Sequence, residues 1–292
     1  MIVKKLAFVL ILSLSVSVFS QHTERDVADT QLKKKKKKRK YKVPEIDLTH
    51  WKVTLPVGKP DEIEPPEILN YGNDEKLKRF MFNDSTEGAL VFYTVPDAKT
   101  ANTKYSRTEL REQMIPGDND TNWTFDQGGK LRGQLRVADI SKDKNGKYHR
   151  TIIMQIHGRL TNDQKASIGQ KDNNAPPILK IYWQNGKIRV KTKVLKDKGL
   201  SREDILLTDS WTDDEGYTFK QEVGFKKFTL EVKVEKGKMM VSLNDNEFVV
   251  YDDINIKRWS VFENYFKAGN YLITRDKDAF AVVKYYKLTV EH

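Results

Sequence analysis

Three dipeptides, Asn145-Gly146, Asn185-Gly186 and Lys236-Gly237, stand between runs in which polar and apolar residues alternate. Alternation with period two marks a strand with one buried face, and Asn-Gly supplies the positive-φ turn that joins antiparallel neighbours. Two hairpins follow: Ile178–Trp183 with Lys187–Leu195, and Phe228–Glu235 with Lys238–Leu243, the latter continued by Phe248–Tyr251. Further strands are expected at Trp51–Leu55, Ala89–Val95, Tyr105–Glu112, Leu131–Ile140, Arg150–His157 and Ala281–Val290. Helical periodicity is confined to two short segments, Glu75–Phe82 and Ile254–Trp259. Polar loops are expected over Ile115–Gly129 and Leu160–Pro177. Many short strands joined by turns predict an all-β fold, an antiparallel sandwich or jelly roll. With no composition break and no internal repeat after residue 44, residues 44–292 are expected to form one domain.

The formal net charge is +11, but it is local: residues 33–42 carry nine positive charges, and Lys4 and Lys5 carry the other two. The rest of the chain is neutral overall, so the charge is no argument for a nucleic-acid partner. Residues 1–20 combine those two lysines with an apolar run from Leu6 and small residues ending at Ser20, the pattern of a signal peptide. Residues 21–43 read as a polar, then polybasic linker that stays extended through its own repulsion. The run Leu6–Phe19 is short and serine-interrupted for a stable membrane span, so a secreted or periplasmic protein is expected after its removal. The absence of cysteine excludes a disulfide scaffold, a thiolate metal site and a thiol nucleophile.

Within the strands, three segments carry unusual polar faces. Arg107, Glu109 and Arg111 share one face of Tyr105–Glu112, with Thr108 and Leu110 on the other. A carboxylate between two guanidiniums is either a solvated, salt-bridged surface or an anion site in which Glu109 orients the arginines. Gln155 and His157 share a face while Met154 and Ile156 turn inward. Tyr265 and Lys267 share another, followed by Gly269 and Tyr271. The set lacks the paired carboxylates of a glycosidase and the nucleophile turn of a serine hydrolase. It holds cations, an amide and two groups able to move protons, which suits removal of a proton beside a carboxylate whose charge is neutralised.

Arg107-Thr-Glu-Leu-Arg111, Gln155-Ile-His157 and Tyr265-Phe-Lys-Ala-Gly-Asn-Tyr271 resemble, in order, the three signature motifs of the family 7 polysaccharide lyases, the alginate lyases. Trp51-Lys-Val-Thr-Leu-Pro56 and the run Pro176–Trp183 are similar to the family as well, so the resemblance spans residues 47–290. It implies a jelly roll of two antiparallel sheets with a concave substrate groove, and β-elimination on a uronate polymer such as alginate. It further implies that Arg107 and Gln155 neutralise the uronate carboxylate, with Arg111, Lys267 and Tyr265 beside them at the substrate. His157 is implied as general base, alone or with Tyr271, and Tyr271 as general acid whose phenolate nearby cations would favour. The scheme needs no cofactor or metal, and a monomer is expected. The pattern departs at Ile273, where the family commonly has glutamine and where the side chain should face the groove. The isoleucine between Gln155 and His157 is associated in the family with guluronate-containing blocks. Two rivals stand beside this reading: a non-catalytic carbohydrate-binding jelly roll, and a lyase for another polyuronate such as glucuronan.

Overall fold

The computed structural model describes residues 42–97 and 104–292. The expected signal peptide and all but the last two residues of the linker lie outside the described residues. The strands form two sheets. The back sheet runs in the order β16 (Glu247–Tyr251), β15 (Lys238–Leu243), β14 (Phe228–Glu235), β8 (Gly129–Ile140), β18 (Ala281–Glu291), β5 (Ala89–Thr94) and β4 (Met81–Asp84). A short strand, β1 (Glu45–Ile46), adds to β18 in parallel; the other pairings are antiparallel. The groove sheet runs β12 (Trp211–Asp213), β11 (Lys187–Leu195), β10 (Asn174–Gln184), β9 (Arg150–Arg159), β17 (Glu263–Leu272), β6 (Arg107–Glu112), β2 (Trp51–Thr54) and β3 (Glu62–Ile63). Its margins carry β13 (Tyr217–Glu222) beside β11 and β7 (Trp123–Thr124) beside β17.

The core lies between the sheets and is filled by the inward half of each alternating strand. Leu131, Leu135 and Val137 of β8 and Val283 and Tyr285 of β18 face Met154 and Ile156 of β9 and Phe266 and Ala268 of β17, all fully buried. Burying side chains of this size is worth about 1.5–3 kcal/mol each. Polar groups in this layer are matched. Asn270 donates to the carbonyls of Phe92 and Ala281, and the Tyr285 hydroxyl donates to the Ile153 carbonyl at 2.5 Å. These bonds tie the back sheet to the strands that carry the polar faces.

Both expected hairpins are present, and Asn185 and Gly186 adopt the positive φ their turn requires. Three expectations need correction. Glu75–Phe82 is not an α-helix: a single 3-10 turn at Leu77–Arg79 leads into β4. The segment Leu160–Pro177 is not merely a loop. It contains α1 (Asn162–Ser167), started by a capping box between Thr161 and Gln164, and the first residues of β10. Pro176 and Pro177 are tolerated in that strand because β11 joins β10 only from Leu179 onward, leaving no ladder bond for the prolines to break on that side. Ile115–Gly129 contains β7. The helix expected at Ile254–Trp259 is present as α2 (Ile254–Trp259), capped by Asp253.

Candidate active site

The three strands with unusual polar faces are consecutive in the groove sheet, in the order β9–β17–β6. Register sets their side chains against one another. Lys267 is opposite both Gln155 and Arg111, Tyr265 is opposite His157, and Tyr271 is opposite Arg107. Gly269 is opposite Glu109 at φ +144°, where a Cβ would come within 2.6 Å of the Thr108 carbonyl oxygen. This is the close approach of β17 to β6 for which a glycine is needed. On β9 the consecutive residues Ile153 and Met154 both enter the core, and the pairing with β17 shifts register there. The irregularity puts Ile152 and Gln155 on the same groove face.

Glu109 is the hub. Its fully buried carboxylate lies 2.5 Å from Lys267 Nζ, accepts a 2.6 Å hydrogen bond from Gln155 Nε2, and stands 4.0 Å from the Arg107 guanidinium. Arg107 Nε is buried with no hydrogen-bond partner among the described residues, so the cluster holds a donor in reserve beside the groove. Burial pushes the Lys267 ammonium down to about 8, with Arg107 acting in the same sense and Glu109 opposing both.

Arg111 was expected to be the second guanidinium held by Glu109. Instead it points away: it donates to the carbonyls of Glu112 and Asn119 and to Asn122 Oδ1, and lies 4.1 Å above the Tyr265 ring. Tyr265 in turn stacks on His157, with ring centres 5.2 Å apart and planes within 10°. A cation, a phenol and an imidazole therefore form one column that fixes the imidazole plane. Arg107, Gln155, His157, Tyr265, Lys267 and Tyr271 line the groove, while the Glu109 side chain is fully buried.

His157 Nδ1 lies 3.0 Å from the Gly158 carbonyl, which only accepts, so Nδ1 carries the proton and Nε2 the lone pair. Burial, reinforced by Lys267, Arg107 and Arg111, pushes this imidazole down to about 3, so it is neutral at pH 7. Tyr271 is pushed the other way. Burial raises its hydroxyl to about 12, against the opposing pull of Arg107, whose guanidinium carbon lies 5.4 Å from the ring centre. Arg107 favours the phenolate, as expected of a nearby cation, but desolvation is the larger effect and sets the direction. A neutral imidazole and a protonated phenol flank the Glu109 cluster on opposite sides along β17. One is ready to accept a proton and the other to give one.

The groove also has walls that the sequence reading did not single out. Tyr105, Arg150, Lys180, Tyr182, Lys193 and Asp213 line it, and Ile273 faces it as its step with Tyr271 led one to expect. Lys180 and Lys193 pair with the same carboxylate, Asp213, at 2.6 and 2.8 Å. Their only sequence signal was alternation on β10 and β11, which also describes an ordinary wet face. Among the described residues, no group of three or more His, Asp or Glu is arranged to hold a metal ion, and no helix is long and apolar enough to cross a membrane.

A family model described as alginate lyase matches residues 46–292. Among solved structures, the chain is similar to alginate lyase A1-II′, a member of polysaccharide lyase family 7. The two share 26% identity over 85% of this chain and 96% of that one, with a TM-score of 0.66. A variant of that enzyme in complex with a product, GGG, matches at 25% identity over 85% of this chain and 97% of that one, with a TM-score of 0.68. An alginate lyase from Pseudomonas aeruginosa shares the fold at 22% identity, over 85% of this chain and all of the other, with a TM-score of 0.63. Comparison with curated protein sequences returns no match.

Proposed function

The chain belongs to the alginate lyase family and is a polysaccharide lyase; from that premise we propose that it cuts the 1→4 linkages of alginate internally, by β-elimination. The carrying observation is the pairing of a neutral His157 and a protonated Tyr271 across a cluster of Arg107 with the buried Glu109, Lys267 and Gln155. Solved relatives in complex with a GGG product and a GGMG substrate support the choice of polymer.

In this reading Arg107, Lys267 and Gln155 meet the uronate carboxylate and stabilise the negative charge that spreads onto it as the neighbouring C5 proton leaves. His157 Nε2 takes that proton. The C5 electron pair forms the C4–C5 double bond, the C4–O bond breaks, and Tyr271 protonates the departing oxygen. Water is not consumed. Glu109 and Arg111 act as positioning residues: Glu109 holds Lys267 and Gln155, and Arg111 holds the Tyr265–His157 stack. A preference for guluronate-containing blocks is proposed from Ile156, which is buried in the core and acts only through Gln155 and His157 on either side of it. Export and action as a monomer complete the proposal.

The test is incubation of the purified protein with alginate while following the absorbance of the unsaturated product. His157→Ala and Tyr271→Phe should each lower turnover by about 10²–10⁴-fold with unchanged melting temperature. Binding of alginate without any absorbance rise would instead identify a carbohydrate-binding module. Cleavage of glucuronan but not alginate would move the polymer.

A further inference from the structure

The Lys180–Asp213–Lys193 cluster repeats the charge plan of the reacting centre without its proton-transfer groups. At the centre, one carboxylate, Glu109, sits between Lys267 and Arg107. On β10, β11 and β12, one carboxylate, Asp213, sits between Lys180 at 2.6 Å and Lys193 at 2.8 Å. The lysine side chains are about one-sixth exposed, at 15% and 16%, and all three residues line the same groove. The two ammoniums together carry six N–H donors, and Asp213 cannot engage them all. Two cations sharing one anion leave a net positive charge in a partly desolvated wall, where an incoming carboxylate is held more strongly than at an open surface. Arg150, packed against Tyr182 at 5.3 Å, adds a further cation to this wall.

The spacing suits a polymer. Lys180 is directly opposite Gln155, so Lys267, Gln155 and Lys180 form one row across β17, β9 and β10. Adjacent strands are ~4.8 Å apart, on the scale of one pyranose ring. We propose that Lys180 and Lys193, oriented by Asp213, form a second carboxylate site that grips a non-reacting uronate of the same chain. This inference rests on the reading of the groove as a uronate-polymer site. It adds that productive binding requires a chain long enough to reach both carboxylate sites.

The experiment measures kcat/KM of the full chain on size-fractionated alginate oligomers, from the trimer to chains of about ten residues. Two variants are compared with the wild type. One is Lys180→Gln. The other is the triple Lys180→Gln/Asp213→Asn/Lys193→Gln, which removes the ion cluster as a unit and strands no buried charge. Either folded variant should show a ratio of long-chain to trimer kcat/KM about tenfold lower, carried by KM, with a weaker dependence of that KM on salt. An unchanged ratio overturns the proposal, and so does an equal loss at every chain length, which would make these residues part of the reacting centre. If the wild type cleaves no uronate polymer, the underlying functional reading fails instead. An active wild type with an unaltered ratio leaves that reading standing and removes only the second site.

Discussion

Lys267 should impose the alkaline limit on activity. Its ammonium stands at about 8 against an ordinary 10.5, chiefly because it is buried. At about 1.4 kcal/mol per unit, that displacement corresponds to roughly 3 kcal/mol against the charged form. If the ammonium is needed to meet the uronate carboxylate, kcat/KM of the free enzyme should fall about tenfold per pH unit above pH 8. Tyr271, at about 12, keeps its proton throughout this range and cannot produce the limb. A bound carboxylate favours the ammonium, so kcat should hold to higher pH than kcat/KM. Stability moves the other way. Between pH 8 and 10.5 the unfolded chain binds the Lys267 proton and the folded chain does not, so raising the pH through this window adds stability from this group. That contribution is complete above pH 10.5 and gone below pH 8. Activity loss above pH 8 is therefore not the onset of unfolding through this residue. Initial rates on alginate across pH 6–10, with melting temperature followed in parallel, test the argument, and Lys267→Arg supplies the control because a guanidinium stays charged. A wild-type profile flat to pH 9.5, or a limb unmoved in Lys267→Arg, would refute the reasoning.

Two other perturbations probe the same cluster. Glu109→Gln leaves the buried Lys267 and the half-buried Arg107 without their shared anion; it should cost about 3–5 kcal/mol in denaturant unfolding. Because Glu109 favours the Lys267 ammonium, the same variant should shift the alkaline limb of kcat/KM to lower pH. His157, at about 3 in the folded protein against 6.5 ordinarily, should give no acid limb of its own above pH 4. The unfolded chain binds its proton as the pH falls through 6.5, so stability from this group is present above 6.5 and lost toward pH 3. The melting temperature of His157→Gln should accordingly fall less steeply with acid than that of the wild type.

What could be read from the residues was whatever depends on local geometry. Alternation placed Arg107, Glu109 and Arg111 on one face of β6, Gln155 and His157 on one face of β9, and Tyr265 and Lys267 on one face of β17, because a strand turns its side chains every second residue whatever its neighbours are. The turn dipeptides located the hairpins for the same reason. The motif order then tied those faces to a lyase family before any strand had been paired.

Long-range pairing decided the rest. Residues 107, 155 and 267 meet only because β6 and β9 flank β17, a neighbourhood no local pattern encodes. That pairing gave Glu109 to Lys267 and Gln155, and turned Arg111 onto Tyr265. It also brought Asp213 between Lys180 and Lys193, three residues that alternation alone could not tell from a wet surface. The proton affinities of His157, Lys267 and Tyr271 belong to this second class too. Side-chain identity sets their starting values, but burial moves them, and burial exists only once the two sheets have closed on each other.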